Sequence, residues 1–172
     1  MFRRIIYTFF FSFILIGFAT AQRVAIVDIS TLLEKLPDYQ TAQTEIDKVS
    51  ARWRQEISQE YDKIKSLYNK YQAEQVLLSE EVKIEREEEI MNREKEVRDL
   101  QKRRFGPEGD LFRRRQELVS PIQDQVFAAI ESYAQLKGYD IIFDKSGSAG
   151  LLYANDEYDK TEEIARELGI RN

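Results

Sequence analysis

The chain has 172 residues, a formal net charge of −5, no histidine and no cysteine. Those absences remove thiol nucleophiles, imidazole acid–base chemistry and the usual zinc and copper ligand sets. The acidic balance argues against nucleic acid as the main partner, because phosphate binding needs a basic surface.

Prolines (3) and glycines (7) are few and 33% of residues are charged, a composition that favours long solvated helices over an all-β fold. The opening stretch, MFRRIIYTFFFSFILIGFATAQ, places Arg3 and Arg4 before an apolar run over residues 5–18. Ala19-Thr20-Ala21 then supplies a small-x-small cleavage pattern. The run is short of the about 20 residues that span a bilayer. Residues 1–21 are therefore predicted to be a secretory signal cleaved after Ala21, with an uncleaved anchor as the other reading. No cysteine follows the run, which excludes a lipid anchor on a lipobox cysteine.

Residues 24–28, VAIVD, read as a strand, and a lone strand leaves its backbone polar groups unpaired. Residues 30–36 predict one or two helical turns before Pro37, and Asp38 is the expected N-cap of a long helix. Apolar residues then recur at gaps of three and four from Tyr39 through Ile46, Trp53 and Ile64 to Tyr71, one stripe of an α-helix. Ser79, between Leu77-Leu78 and Glu80-Glu81, predicts a turn and the cap of a second helix with an acidic first turn.

Residues 80–104 are dense in charge, with Glu89/Arg93, Glu94/Arg98 and Asp99/Arg103 at the favourable i, i+4 spacing. Their sparse apolar residues suit one side of an exposed antiparallel coiled coil. FGPEGD, residues 105–110, must end or sharply kink a helix. Helical spacing resumes at residues 111–119, and Ser120-Pro121 is expected to restart the helix as a cap followed by a first-turn proline. Ile122, Val126, Ile130 and Tyr133 give that helix an apolar face, and Gly138 stops it.

The missing strand follows. YDIIFDK, residues 139–145, reads as a buried strand, SGSAG (146–150) as a turn and LLYAN (151–155) as a third strand. Residues 161–168 predict a short amphipathic helix closed by Gly169. The midpoint between Asp28 and Tyr139 falls near the independent Ser79 cap, so strands sharing a sheet require an out-and-back hairpin.

The predicted fold is α+β, mostly α: a long antiparallel coiled-coil helical hairpin projecting from a small β-strand oligomerisation body. Residues 22–37 and 120–172 form the body. Residues 38–119 form the arm, with its tip near 77–82 and a kink at 105–110 opposite Trp53. Each limb spans about 60 Å. A body this small, with open strand edges, is expected to associate with further copies.

Several residue groups carry two readings. Lys102-Arg103-Arg104 and Arg113-Arg114-Arg115 flank the kink as a positive rim for acidic partners or lipid phosphates, or as a solvated helix surface, the favoured reading. Val76, Leu77 and Leu78 touch binding partners or close the hairpin, with closure favoured. Tyr61, Tyr68 and Tyr71 are read as coiled-coil seam. A Ser146–Lys145 nucleophile is rejected, since the pair sits in an ordinary turn. Asp28, Asp140, Asp144 and Asp156 match no known Ca²⁺ loop and are assigned to strand ends and turns. No catalytic, cofactor-binding or metal residue is assigned, and the residues that contact a binding partner are not legible.

In order and spacing these elements resemble the OmpH/Skp family of periplasmic chaperones along essentially the whole chain. The resemblance is carried by the signal, VAIVD with its short helix, the charged hairpin, and YDIIFDKSGSAGLLYANDEYD with Asp144, Tyr153 and Asp159-Lys160-Thr161. It implies a non-enzymatic, ATP-independent holdase: a homotrimer whose arms enclose unfolded outer-membrane β-barrel proteins, with no cofactor. This chain departs from the pattern in being acidic, in its FGPEGD kink, and in having Lys160 where a branched apolar residue is usual. The alternative function is a structural coiled-coil spacer of the cell envelope without client-holding activity. A hydrolase built on carboxylates alone is a third class, and the chain shows no pocket-forming domain of adequate size for it.

Overall fold

A computed structural model describes residues 22–147 and 150–170, so the expected signal segment lies outside the described residues. Strand β1 (Val24–Val27) leads into helix α1 (Ile29–Lys35) and the long α2 (Pro37–Glu74). A 3₁₀ turn (Gln75–Leu77) precedes α3 (Glu80–Phe105) and α4 (Asp110–Lys137). The chain then returns through β2 (Ile141–Asp144), a second 3₁₀ turn (Asp156–Tyr158) and α5 (Thr161–Glu167).

The two strands pair in parallel, from Val24 against Ile141 to Val27 against Asp144. Parallel neighbours cannot be joined by a tight turn and need a crossover. Here the whole helical arm is that crossover. The pairing is closed at its start by Arg23, whose carbonyl accepts from the Asp140 N–H at 2.9 Å and whose N–H donates to the Asp140 carboxylate at 2.8 Å. The guanidinium of Arg23 lies 4.9 Å from the centre of the Tyr139 ring.

Below the strands sits the main core, in which Val27, Leu32, Val126 and Ile164 are at most 1% exposed. Burying each such side chain stabilises the fold by about 1.5–3 kcal/mol. Leu33, Leu36, Tyr133 and Ala165 complete the cluster. A second, leaner seam runs along the arm, with Ile57 and Ile64 of α2 buried against Ile90 and Val97 of α3. Nearer the body, Ala42, Ile46 and Ser50 are buried on α2, which there packs against α4.

Helix ends show how the sequence sets these lengths. The Asp28 carboxylate accepts from the Thr31 N–H at 2.8 Å and caps α1. At the tip the Ser79 hydroxyl accepts from the Val82 N–H at 3.4 Å, as its position after the apolar pair predicts. Gly138 ends α4 with φ of 69°, a left-handed turn that a side chain would strain.

Four expectations are corrected. The long helix starts at Pro37, with Leu36 as an N-cap that makes no side-chain bond. Proline at the first position is pre-set to the helical φ and lacks one of the N–H groups left unpaired at a helix start, so Asp38 falls inside the helix and serves as an acid in its first turn. Ser120-Pro121 does not restart a helix, because Pro121 lies inside α4. Both residues are exposed there, so the one lost ladder bond leaves the Glu117 carbonyl to water while Ile122 and Val126 stay on the core face. β2 is not fully buried: Ile141 and Phe143 are 40% and 44% exposed, since the helices of this chain cover one face only.

The expected third strand over 151–155 is absent from the described residues, where that stretch has no regular structure. The second edge of β1 is instead taken by a bridge from Ile26 to Asp159, with the Lys160 N–H donating to the Ile26 carbonyl at 2.9 Å. With that edge occupied, Leu152 and Tyr153 remain 97% and 84% exposed.

The hairpin brings Tyr61 to Gln101, hydroxyl to amide oxygen at 3.5 Å, across an exposed position of the arm. A Tyr61→Cys/Gln101→Cys variant is expected to crosslink within one chain through a short bifunctional thiol reagent, whereas Tyr61→Cys/Ser79→Cys is not. The reverse pattern, read by gel mobility after proteolysis between the sites, contradicts the hairpin.

Candidate functional site

Three surfaces stand out, each built by a different stretch of the arm or body. The first is the joint between α3 and α4. A Cβ on Gly106 would collide with the Lys102 carbonyl oxygen, and one on Gly109 would meet the Arg103 carbonyl oxygen at 2.7 Å, so the FGPEGD turn is as tight as its glycines allow. Trp53 faces this break, as its position in the sequence suggests. Phe105 meets its ring edge-on at 6.3 Å between centroids, and the Arg104 guanidinium covers the ring at 4.7 Å.

Arg104 also pairs with Glu56 of α2 at 3.5 Å and with Asp110 of α4 at 2.8 Å, tying three helices together. Arg113 donates to the same Asp110 carboxylate. Burial works against charge on Asp110, but the bonds from Arg104 and Arg113 outweigh it and hold the carboxyl below the ordinary carboxylate range. No residue spacing signals this clamp, because its partners come from three separate helices. Of the two basic clusters, Arg104, Arg113 and Arg114 are thus engaged in ion pairs. Lys102, Arg103 and Arg115 are exposed and have no ion pair among the described residues.

The second surface is the arm itself. A groove of about 820 Å³ runs between α2 and α3, with Ile64, Leu67, Val97 and Leu100 as an apolar floor and Glu60, Lys63, Arg93 and Glu96 among its charged walls. At the tip, Val76 and Leu77 are 87% and 88% exposed. They do not close the hairpin within this chain; Leu78 alone of the three is half-buried. Tyr71 joins the seam and donates to Glu87, while Tyr61 and Tyr68 are only partly covered, so the tyrosine stripe is half seam and half surface. Of the three predicted i, i+4 pairs, Glu94–Arg98 forms at 3.3 Å, whereas Glu89 and Arg93 find nearer partners in Arg86 and Glu96.

The third surface is the body. Its polar residues are absorbed by structure. The Asp159 bond holds Lys145 protonated, raising its pKa, so it is unfit to act as a base for Ser146. The Ser146 hydroxyl itself donates to Asp144 at 2.7 Å. Asp140 accepts from the Arg23 N–H, and Asp144 accepts from the Ile29 and Ser146 N–H groups. Asp156 opens the second 3₁₀ turn. Among the described residues no group of acids is arranged to hold a metal ion, and no helix is long and apolar enough to cross a membrane.

The described residues form a long helical hairpin rising from a small parallel sheet, with a groove along the arm and exposed apolar residues at its tip. Residues 23–168 match the family described as outer membrane protein (OmpH-like), and the chain belongs to that family. No curated protein matches it. Among solved structures it is similar to a candidate outer membrane chaperone (OmpH-like) from Caulobacter crescentus CB15, with a TM-score of 0.70 over 88% of this chain and 86% of that chain. Identity between the two is 12%, so the likeness is one of fold.

The clamp carries an acid-dependent prediction. Because the folded-state pKa of Asp110 lies below that of the unfolded chain, near 3.9, its carboxylate stabilises the arm above that value. The contribution is lost as pH falls through the folded-state pKa. Asp110→Asn is expected to lower the thermal midpoint by about 2–4 °C at neutral pH. Thermal melts at stepwise lower pH should show that difference shrinking as the pH falls through the folded-state pKa of Asp110. A difference that stays constant as the pH falls contradicts this role for Asp110.

Proposed function

We propose that this protein is an ATP-independent holdase of the periplasm, which keeps unfolded outer-membrane β-barrel proteins apart in a space bounded by helical arms. The observation that carries the reading is the arm's exposed amphipathic surface. Val76, Leu77, Ile84 and Met91 are all more than half exposed on an element stabilised by a thin seam. Membership of the OmpH-like family and the fold likeness to a candidate outer membrane chaperone support it. A chain that binds by many weak contacts needs area and mobility rather than a deep pocket, and several arms acting together raise the effective concentration of binding sites.

In this reading residues 1–21 direct export and are cleaved after Ala21. Residues 22–37 and 120–172 form the body, and residues 38–119 form the arm. Three bodies associate through the apolar residues that one chain leaves uncovered, Ile141 and Phe143 on β2 with Leu152 and Tyr153 beyond it. Activity is binding alone, without a catalytic residue or cofactor.

A urea-denatured outer-membrane β-barrel protein diluted into buffer with stoichiometric mature chain, without nucleotide, is expected to stay clear by light scattering. Unchanged aggregation refutes the proposal, and a pull-down dominated by one folded, stoichiometric envelope protein favours the spacer instead. Leu152→Ser/Tyr153→Ser is expected to reduce the mass of the assembly by at least half in sedimentation, without loss of helicity. An unchanged mass places the contact elsewhere.

A further inference from the structure

The solvent face of α3 has a pattern of its own. Glu81, Ile84, Glu88, Met91, Lys95 and Lys102 recur at heptad spacing along it. At about 100° per residue this row lies opposite the buried Ile90 and Val97, so it points away from α2. Ile84 and Met91 are 56% and 58% exposed. Glu81, Glu88, Lys95 and Lys102 are exposed and carry no ion pair among the described residues.

The charge along the row is polarised. Acids occupy the end near the tip, with Glu85 beside them, and bases predominate near the joint, where Arg103 lies beside them and exposed Asp99 is interposed between Lys95 and Lys102. Such a row is complementary to itself when reversed. We propose that the outward face of α3 is a contact surface for a second copy of this chain, whose α3 packs against it antiparallel.

A two-fold axis between Met91 and Asn92 sets Glu81 against Lys102 of the second copy and Glu88 against its Lys95. The two methionines lie side by side at the centre. A two-fold contact of this kind uses the same patch on both partners and closes after two. Parallel packing in register would stack acid on acid and base on base, so the charges reject it. The same antiparallel register carries the exposed Val76 and Leu77 of one copy towards the joint of the other. There a hollow of about 510 Å³ is lined by Lys102, Arg103, Gly106 and Pro107, among others.

This contact lies on the arm, away from the apolar residues of the body, and joins two molecules with their bodies at opposite ends. It goes beyond client holding but draws on Ile84 and Met91 of the same exposed face, so the two contacts compete there, and sedimentation without client tests it apart from the scattering assay. Sedimentation of the full mature chain at about 20 mM and about 0.5 M salt tests it, because screening weakens exposed ion pairs. The mass is expected to at least double at low salt relative to high salt. Glu81→Lys/Glu88→Lys turns the acidic end of the row basic and Lys95→Glu/Lys102→Glu turns its basic end acidic. Each variant alone is expected to keep the high-salt mass at low salt, and an equimolar mixture to regain the doubled mass, with far-UV circular dichroism showing both variants helical. A wild-type mass independent of salt, either variant doubling by itself, or a mixture that fails to associate overturns the proposal.

Discussion

The parallel pairing of Val24–Val27 with Ile141–Asp144 is the constraint from which the rest of the molecule follows. Two short strands far apart in sequence lie side by side and run the same way, so everything between them must leave the sheet and come back. The α2 helix of 38 residues, about 57 Å long, carries the chain out. The return needs two helices, because the Gly106–Gly109 turn interrupts it, and the Arg104–Asp110–Glu56 clamp fastens that turn to the continuous outgoing limb. The sheet's own ends are tied by Arg23 at one side and by Asp159, Lys160 and Thr161 at the other. Thr161 accepts from the Asp28 N–H at 2.9 Å, which links the C-terminal helix to the strand that begins the fold.

Much of this was legible because local signals and overall geometry agree. Ser79 marks the tip as a capping residue, and counting residues between the strands points to the same place. Trp53 was expected opposite the FGPEGD break and meets Phe105 there. Misreadings arose where a local signal was outweighed by its surroundings. Pro121 is a helix-start residue by habit, but α4 retains it on an exposed face at the loss of one hydrogen bond. Residues 151–155 have strand composition, yet the edge of β1 they would need is held by Asp159 and Lys160. The tip residues Val76 and Leu77 were expected to pack, but a turn of 3₁₀ geometry leaves them pointing into solvent. The clamp at the joint was invisible because no spacing rule connects residues on three helices.

The distribution of charge and apolar surface fits the function proposed. Carboxylates and ammonium groups that might suggest chemistry in the body are spent on caps, strand ends and the Lys145–Asp159 pair. What is left over for solvent is large, amphipathic and spread along an arm whose seam is only a few residues wide. The arm is also electrically asymmetric, acidic near the tip and basic at the joint, although the whole chain is acidic. Acidity alone therefore says little about what the arm attracts at a given height, and the two ends of one limb present opposite partners.

Because the architecture rests on the strand pairing, the distance across it is the most direct test. The Ser30 N–H lies 3.3 Å from the Ser146 hydroxyl oxygen. Pulsed electron paramagnetic resonance on chains spin-labelled at positions 30 and 146, diluted in unlabelled protein, should return a separation within about 20 Å, two label linkers included. A separation approaching the length of the arm, about 57 Å, means that the two ends do not meet, and the out-and-back fold is then wrong.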